Sequence, residues 1–150
     1  MTEFKLAVRA NVEDLVRISK AAFESDVQVG ADGPGGPPEY DSLEWHYQVQ
    51  NEEHLYVLLE DGTVIGGAIL SGDQAEPGTV YVDRIFVAPQ HHRKGYGIEL
   101  MKQIEALYGE RHTLKLDTPA WNTRTNAFYP KCGFHEVRRE GEMIYFEKIL

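Results

Sequence analysis

The chain has 150 residues, 42% of them apolar and 11% aromatic, which is the composition of one folded domain rather than of a disordered or fibrous protein. A formal charge of −9 excludes nucleic acid and acidic membrane surfaces as natural partners. The longest wholly apolar run, Leu55-Tyr56-Val57-Leu58-Leu59, is far short of the roughly 20 residues that a membrane helix needs.

In chain order, Phe4–Arg9 alternates apolar and polar residues and predicts a first strand. Met1-Thr2-Glu3 leads into it without a basic-then-apolar leader, and the single cysteine, Cys132, has no internal partner, so a reducing cytoplasm is the expected compartment. Asn11 is a suitable N-cap, and Val12, Leu15, Val16, Ile18, Ala22 and Phe23 trace the apolar stripe of a helix ending near Ser25. Gly30-Ala31-Asp32-Gly33-Pro34-Gly35-Gly36-Pro37-Pro38 is too rich in glycine and proline for regular structure. Asp41, with Glu44 three residues on, reads as a capping box for a second helix through about Gln50. Leu55–Glu60 and Val64–Leu70 flank Asp61-Gly62, a hairpin signal. Thr79–Val87 is a long strand, apolar on both faces except at Asp83 and Arg84. Gly97–Tyr108 has helical spacing, Thr113–Asp117 is a short strand, and Asn122–Cys132 is a helix stopped by Gly133 as a left-handed cap. Phe134–Arg139 and Met143–Ile149 close the chain as two strands hinged at Gly141, with no repeat, linker or second domain over residues 1–150.

One segment carries chemistry. Ile85-Phe86-Val87-Ala88-Pro89-Gln90-His91-His92-Arg93-Lys94-Gly95-Tyr96-Gly97-Ile98 reads as the end of a buried strand, a basic turn and a helix start. Such a turn offers backbone N–H groups and a positive helix end to a diphosphate, and Arg93 and Lys94 add cations. Glycines at 95 and 97 remove Cβ atoms that would hold an anion off. The segment is neither a P-loop, which needs Gly-x4-Gly-Lys-Ser/Thr, nor a dinucleotide turn, since a third glycine is missing.

The segment resembles the acetyl-CoA-binding block of the GNAT N-acetyltransferase superfamily, Arg/Gln-x-x-Gly-x-Gly/Ala after a strand ending in a Val-x-Pro-like corner. Val87, Pro89, Gly95 and Gly97 match, whereas His92 replaces the leading Arg or Gln. A second block, Asn122 to Phe134, is similar to the family's Asn-x-x-Ala-x-x-hydrophobic-Tyr-x-Lys-x-Gly-Phe, with Thr125 in place of alanine and Pro130 in place of an acidic or polar residue. The element order βαα-βββ-α-β-α-ββ is also that of the family. The resemblance implies a mixed α/β (α+β) GNAT fold: a central, mostly antiparallel sheet of six to seven strands, flanked by about four helices and splayed between the fourth and fifth strands.

It further implies an acetyl-CoA-dependent acyltransferase acting on a primary amine, and a homodimer. Ile85, Phe86 and Val87 would offer backbone groups to the pantetheine arm. His92, Arg93, Lys94, Gly95, Tyr96, Gly97 and Ile98 would hold the diphosphate, and Asn122 and Lys131 would be further cofactor contacts. Tyr129 falls on the family's acid, which protonates the departing thiolate. The family's base often lies on the strand before the turn, where Asp83 stands. The loop between the first two helices usually lines the acceptor pocket, which implicates Tyr40 and Trp45.

The residues support these roles on their own terms. A lysine-like amine has a reference pKa near 10.4, so freeing it of its proton at pH 7 costs about 4–5 kcal/mol, the largest demand on the protein. A carboxylate in an apolar central strand is costly unless paired or used, which singles out Asp83. Arg84 is expected to face the other way from Asp83, and Glu44, His46, Glu60 and His112 stay open as alternative bases. Tyr129, with a reference pKa near 10, is suited to donate a proton rather than to take one. His91-His92 has no supporting ligand spacing, so no metal is expected. Cys132 follows a helix C-terminus, the wrong end for activating a thiolate, which favours direct attack of the amine over a covalent relay. The expected acceptor is a small-molecule amine such as a polyamine or amino acid. A CoA-binding sensor without catalysis and an enzyme acting on a protein amine are the alternatives.

Overall fold

The computed structural model describes residues 1–150. Seven strands form one sheet: β1 (Thr2–Leu6), β2 (Leu55–Glu60), β3 (Thr63–Gly72), β4 (Thr79–Val87), β5 (Thr113–Pro119), β6 (His135–Glu140) and β7 (Met143–Ile149), in the spatial order β1-β2-β3-β4-β5-β7-β6. Four α-helices accompany it: α1 (Val12–Glu24), α2 (Leu43–Asn51), α3 (Tyr96–Tyr108) and α4 (Thr123–Lys131). All neighbouring strands are antiparallel except β4 and β5. The β2–β3 hairpin turns at Asp61 and Gly62, whose φ angles of 49° and 83° are the pair that a two-residue hairpin turn requires.

The sheet buries both faces. On one, Val12, Leu15 and Ile18 of α1 pack on Val57, Ile69 and Phe86. On the other, Leu100, Met101 and Ile104 of α3 and Tyr129 of α4 pack on Val80, Val82, Val87 and Leu114. Each fully buried aliphatic side chain contributes about 1.5–3 kcal/mol through removal of apolar surface from water. No helix is long and apolar enough to cross a membrane.

Two departures from regular pairing shape the site. The parallel ladder joins only Thr79↔Thr113, Val80↔Leu114 and Tyr81↔Lys115, after which β4 and β5 part. Across β3, register slips so that Ile69 pairs with Arg84 while Leu70 pairs with Val82, leaving Asp83 as the extra residue of a β-bulge. The bulge overturns the strict alternation expected of Asp83 and Arg84. Asp83 accepts a 2.6 Å hydrogen bond from Ser71, and Arg84 stacks 4.4 Å from the Trp45 ring of α2, so both serve the α1–α2 side.

Element ends differ from expectation where local hydrogen bonding outweighs pattern. The first strand runs Thr2–Leu6, not to Arg9, because a 3-10 turn starts at Arg9. Ser42 rather than Asp41 caps α2, accepting from the Trp45 amide at 3.1 Å. Asn122 is the cap of α4 instead of its first residue.

Gly66 of β3 stands against β4: a Cβ there would sit 2.5 Å from the Phe86 carbonyl oxygen and 3.2 Å from Val87 Cα. Gly66→Ala should therefore lose about 1–3 kcal/mol in urea unfolding. Gly72→Ala, on the same strand with nothing within 4 Å, should stay within about 0.5 kcal/mol of the parent.

Candidate active site

The parting of β4 from β5 leaves one edge of β4 without a partner. Ala88 N–H donates to Ile65 O at 2.9 Å, so the strand's alternation turns the backbone groups of Ile85 and Val87 toward the opened seam. Phe86 differs: its carbonyl lies beside Gly66 and its ring is 3% exposed against α1, so its own backbone serves β3.

Beyond Val87 the chain turns through His91 and His92 into α3. The N–H groups of Arg93, Lys94, Gly95, Tyr96, Gly97 and Ile98 make no hydrogen bond within the protein; the first amide with an acceptor is that of Glu99, which donates to Gly95 O at 3.0 Å. Positive φ angles at Arg93 (63°) and Gly95 (85°) curl this run into a concavity of amides. His92 fixes the turn to the strand, its Nε2 lying 2.7 Å from Val87 O. Burial is the main influence on this imidazole and lowers its pKa, so Nε2–H donates and the ring is neutral near pH 7. Gly95 has open space around its missing side chain, as close approach of a ligand requires. A Cβ on Gly97, by contrast, would lie 3.1 Å from Phe128, so this glycine serves the contact of α3 with α4. Arg93 and Lys94 are exposed and make no ion pair, and Lys131 is likewise free at the end of α4.

Asn122, read from the sequence as a cofactor contact, is 3% exposed and already engaged. Its carbonyl caps α4 by accepting from Thr125 N–H at 3.1 Å, and its NH₂ donates to Asp26 at 3.3 Å. Arg124 sits beside it, 3.6 Å from Asp26, and its charge reaches His92. It adds to the positive turn, yet nothing in the sequence distinguishes it from a solvated helix arginine.

At the seam, Tyr129 is 6% exposed among Phe128, Phe134 and Phe146. Its hydroxyl makes no hydrogen bond and is not among the fully enclosed unpartnered atoms, which are His46 Nε2 and Arg84 Nη1. Burial drives the phenol's pKa well above its ordinary value. Asp83 reaches solvent, yet the surrounding strands desolvate it enough to raise its carboxyl above the usual range; the Ser71 hydrogen bond and the charges of His54 and Arg84 oppose the rise, and Asp117 adds to it. Asp83 and Asp117 line one cavity of about 190 Å³ with Tyr81, Tyr145 and Arg138. Sequence reasoning overlooked Asp117. Its signal was the alternation of β5, where Leu114, Leu116 and Thr118 are buried and the residues between them face the other way.

The loop after α1 covers the neighbouring stretch. Arg84 donates to Pro38 O, and Tyr40 donates to Glu24 at 2.8 Å and meets Phe23 edge-on. Trp45 lies between Arg84 and His46. The alternative bases are placed elsewhere: His46 is wholly buried with Nδ1 bound to Ser42 O at 2.6 Å, Glu60 pairs with the N-terminal ammonium at 2.9 Å, and His112 lies at the start of β5 against Tyr108. Glu44 is exposed in the first turn of α2. No group of three or more His, Cys, Asp or Glu side chains is arranged to hold a metal ion.

The arrangement thus offers an amide cradle, a free strand edge, a desolvated carboxylate and an unpaired phenol along one seam. The acetyltransferase (GNAT) family model matches residues 13–134. The uncharacterized protein YrkN of Bacillus subtilis (strain 168) is 34% identical over 84 residues, which are 55% of this chain and 45% of that protein, so the match spans less than half of that relative's length. Among solved structures, the PaiA N-acetyltransferase of Thermoplasma acidophilum, in complex with coenzyme A, is similar over 100% of this chain and 99% of that one, with a TM-score of 0.80 at 16% identity. An acetyltransferase from Thermus thermophilus gives a TM-score of 0.79 at 14% identity, over 100% and 97% of the two chains.

The raised carboxyl of Asp83 has a consequence for stability. The native state holds this proton more tightly than the unfolded chain, so the group favours folding below the ordinary carboxylate pKa and loses that contribution as pH rises through the raised value. Asp83→Asn should accordingly raise the unfolding midpoint at pH 7, and the gain over the parent should shrink as the pH is lowered into the carboxylate range, as read by thermal melts across pH.

Proposed function

The chain belongs to the acetyltransferase (GNAT) family, and from that membership we propose that it transfers an acetyl group from acetyl-CoA to a primary amine of a small molecule, by direct attack with both substrates bound. The observation that carries this reading is the run of unpaired amides from Arg93 to Ile98 at the end of a strand whose outer edge is also unpaired. The first amides of a helix have no intrahelical acceptor, and the exposed turn before α3 extends that open row. A diphosphate on the turn and an extended amide-bearing arm along β4 would supply those partners together.

In this reading the amides of residues 93–98 bind the diphosphate, aided by Arg93 and Lys94, with Arg124 and Lys131 within the same positive field. His92 stays neutral and holds the turn in shape rather than adding charge, which fits its place where the family has Arg or Gln. Ile85 offers its backbone groups and Val87 its N–H to the pantetheine arm, the Val87 carbonyl being held by His92, and Phe86 stands behind them as packing. Bound acetyl-CoA supplies a thioester-activated acetyl group.

The protein's own contribution is the handling of protons. An ammonium acceptor gives up two protons in becoming an amide. Asp83, its pKa raised toward neutrality from the carboxylate range, removes one before attack and passes it to solvent. Tyr129, held protonated by burial, gives its phenolic proton to the departing sulfur and is recharged by the second. Its raised pKa would make it a poor donor to a thiolate in water. In the same apolar setting, desolvation raises the thiolate's own proton affinity, which restores the match. Tyr40, Trp45 and the Arg84–Pro38 contact wall the acceptor side, which suits a small amine better than a protein segment.

Release of free CoA thiol with an amine panel tests this. Tyr129→Phe should bind acetyl-CoA within about twofold of the parent and lose roughly 10²-fold or more in kcat, the usual worth of a positioned acid. In the parent, activity should fall as pH drops through the Asp83 titration. In Asp83→Asn that limb should move up toward the amine's own pKa, near 10.4. Parent-like rates in Tyr129→Phe, or an unchanged pH profile in Asp83→Asn, would remove the respective assignment.

A further inference from the structure

Two enclosed side-chain polar atoms of the protein have no hydrogen-bond partner, Arg84 Nη1 and His46 Nε2. Both residues pack on one indole: the Arg84 guanidinium lies 4.4 Å over the Trp45 ring, and the His46 ring is 4.9 Å from it, edge-on. His46 Nδ1 lies 2.6 Å from Ser42 O and so carries the hydrogen, which leaves Nε2 as a bare acceptor. Buried polar atoms are rarely left unpaired, and here two of them flank the same ring.

Arg84 is the more telling of the two. Its face is taken by Trp45, and on its terminal edge Nη2 donates to the Pro38 carbonyl while Nη1 has nothing. No carboxylate pairs with it: Asp83 and Glu39 act on it only through space, and Asp83 is engaged by Ser71. A half-buried guanidinium calls for a counter-ion, because one neutral carbonyl offsets little of what desolvation costs. The two terminal nitrogens form the fork that takes a carboxylate through parallel hydrogen bonds. The bulge sets this fork on the same side of the sheet as Asp83.

We propose that Arg84 is a specificity-determining residue that holds the carboxylate of the acceptor, so that the acceptor is a free amino acid whose amine is presented to Asp83. The inference rests on the acetyltransferase reading and narrows it: an amine without an anionic group is disfavoured. In the free protein the Pro38 carbonyl keeps the acceptor's place on Nη2. That carbonyl belongs to the peptide leading into Glu39, whose φ of 65° is unfavourable for a residue with a side chain. Rotation of this one peptide withdraws the carbonyl and relieves the φ, and the carboxylate then joins both terminal nitrogens.

The test follows acetyl-CoA-dependent thiol release by the full chain with a panel of free amino acids. Each is compared with its carboxamide, which has the same shape without the charge, and with the amine left when the carboxylate is removed. The parent should prefer the best amino acid over both by about tenfold or more in kcat/KM, the worth of a charge-assisted hydrogen-bonded pair. Arg84→Gln should abolish most of that preference, chiefly through KM for the amino acid, while binding acetyl-CoA within about twofold of the parent. Arg84→Lys, which keeps the charge without the fork, should restore part of it. The parent's own panel decides even if neither variant folds. No preference for amino acids in the parent, or an undiminished one in Arg84→Gln, would overturn the inference and leave the acetyltransferase reading standing. Acetyl-CoA binding without thiol release from any amine would overturn both.

Discussion

A β-strand in the middle of a sheet needs neighbours on both edges, and β4 has the second one for only three residues. From Val82 onward one row of its backbone groups has no partner strand, and the turn that follows leaves a further row of amides without acceptors. Open strand edges invite pairing with whatever extended, amide-bearing molecule arrives. Here the edge is recessed between two sheet halves that α1 and α3 cover on opposite faces, so another protein chain is poorly placed to reach it. A thin, flexible arm with two amides and a charged tail is the kind of molecule that fits. The fold gives up pairing energy at this seam, and an extended, amide-bearing arm on the open edge would recover it.

The same seam sets the electrostatics. A chain of net charge −9 nevertheless concentrates Arg93 and Lys94 beside a helix N-terminus, with Arg124 near His92. Past the bulge the sign reverses. Asp83 and Asp117 face the cavity, and the cations nearby are bound to other carboxylates. One end of the seam is therefore positive and the other negative. The β-bulge is what brings Asp83 and Arg84 to one side, where Ser71 engages the first and Trp45 with the Pro38 carbonyl the second.

Much of this was readable from residue order because local signals and tertiary placement agree. The Asp61-Gly62 hairpin, the nine-residue β4, the stripe of α1 and the Gly133 cap follow from turn chemistry and periodicity, which depend on near neighbours alone. What was hidden depends on distant ones. The bulge at Asp83 is a register slip against β3, invisible in β4 itself. The contact of Gly97 with Phe128 of α4, 3.1 Å from where a Cβ would lie, is likewise absent from the order of α3 itself. Asn122 has the composition of a ligand contact, but Thr125 and Asp26 claim both of its amide groups. Asp117 was passed over because the alternation of β5 marks it only as an outward-facing acid, and the carboxylate it shares a cavity with comes from β4.

In the proposed reading the amides of Arg93 to Ile98 stand open for a diphosphate. Amide chemical shifts of isotopically labelled protein, titrated with CoA and separately with pantetheine, which lacks the diphosphate, test it most directly. CoA should shift the amides of Arg93 through Ile98 more than any others, and pantetheine should perturb Ile85 and Val87 while leaving the turn nearly unmoved. An unmoved turn in the presence of saturating CoA, or equal shifts of it with pantetheine, would contradict the account.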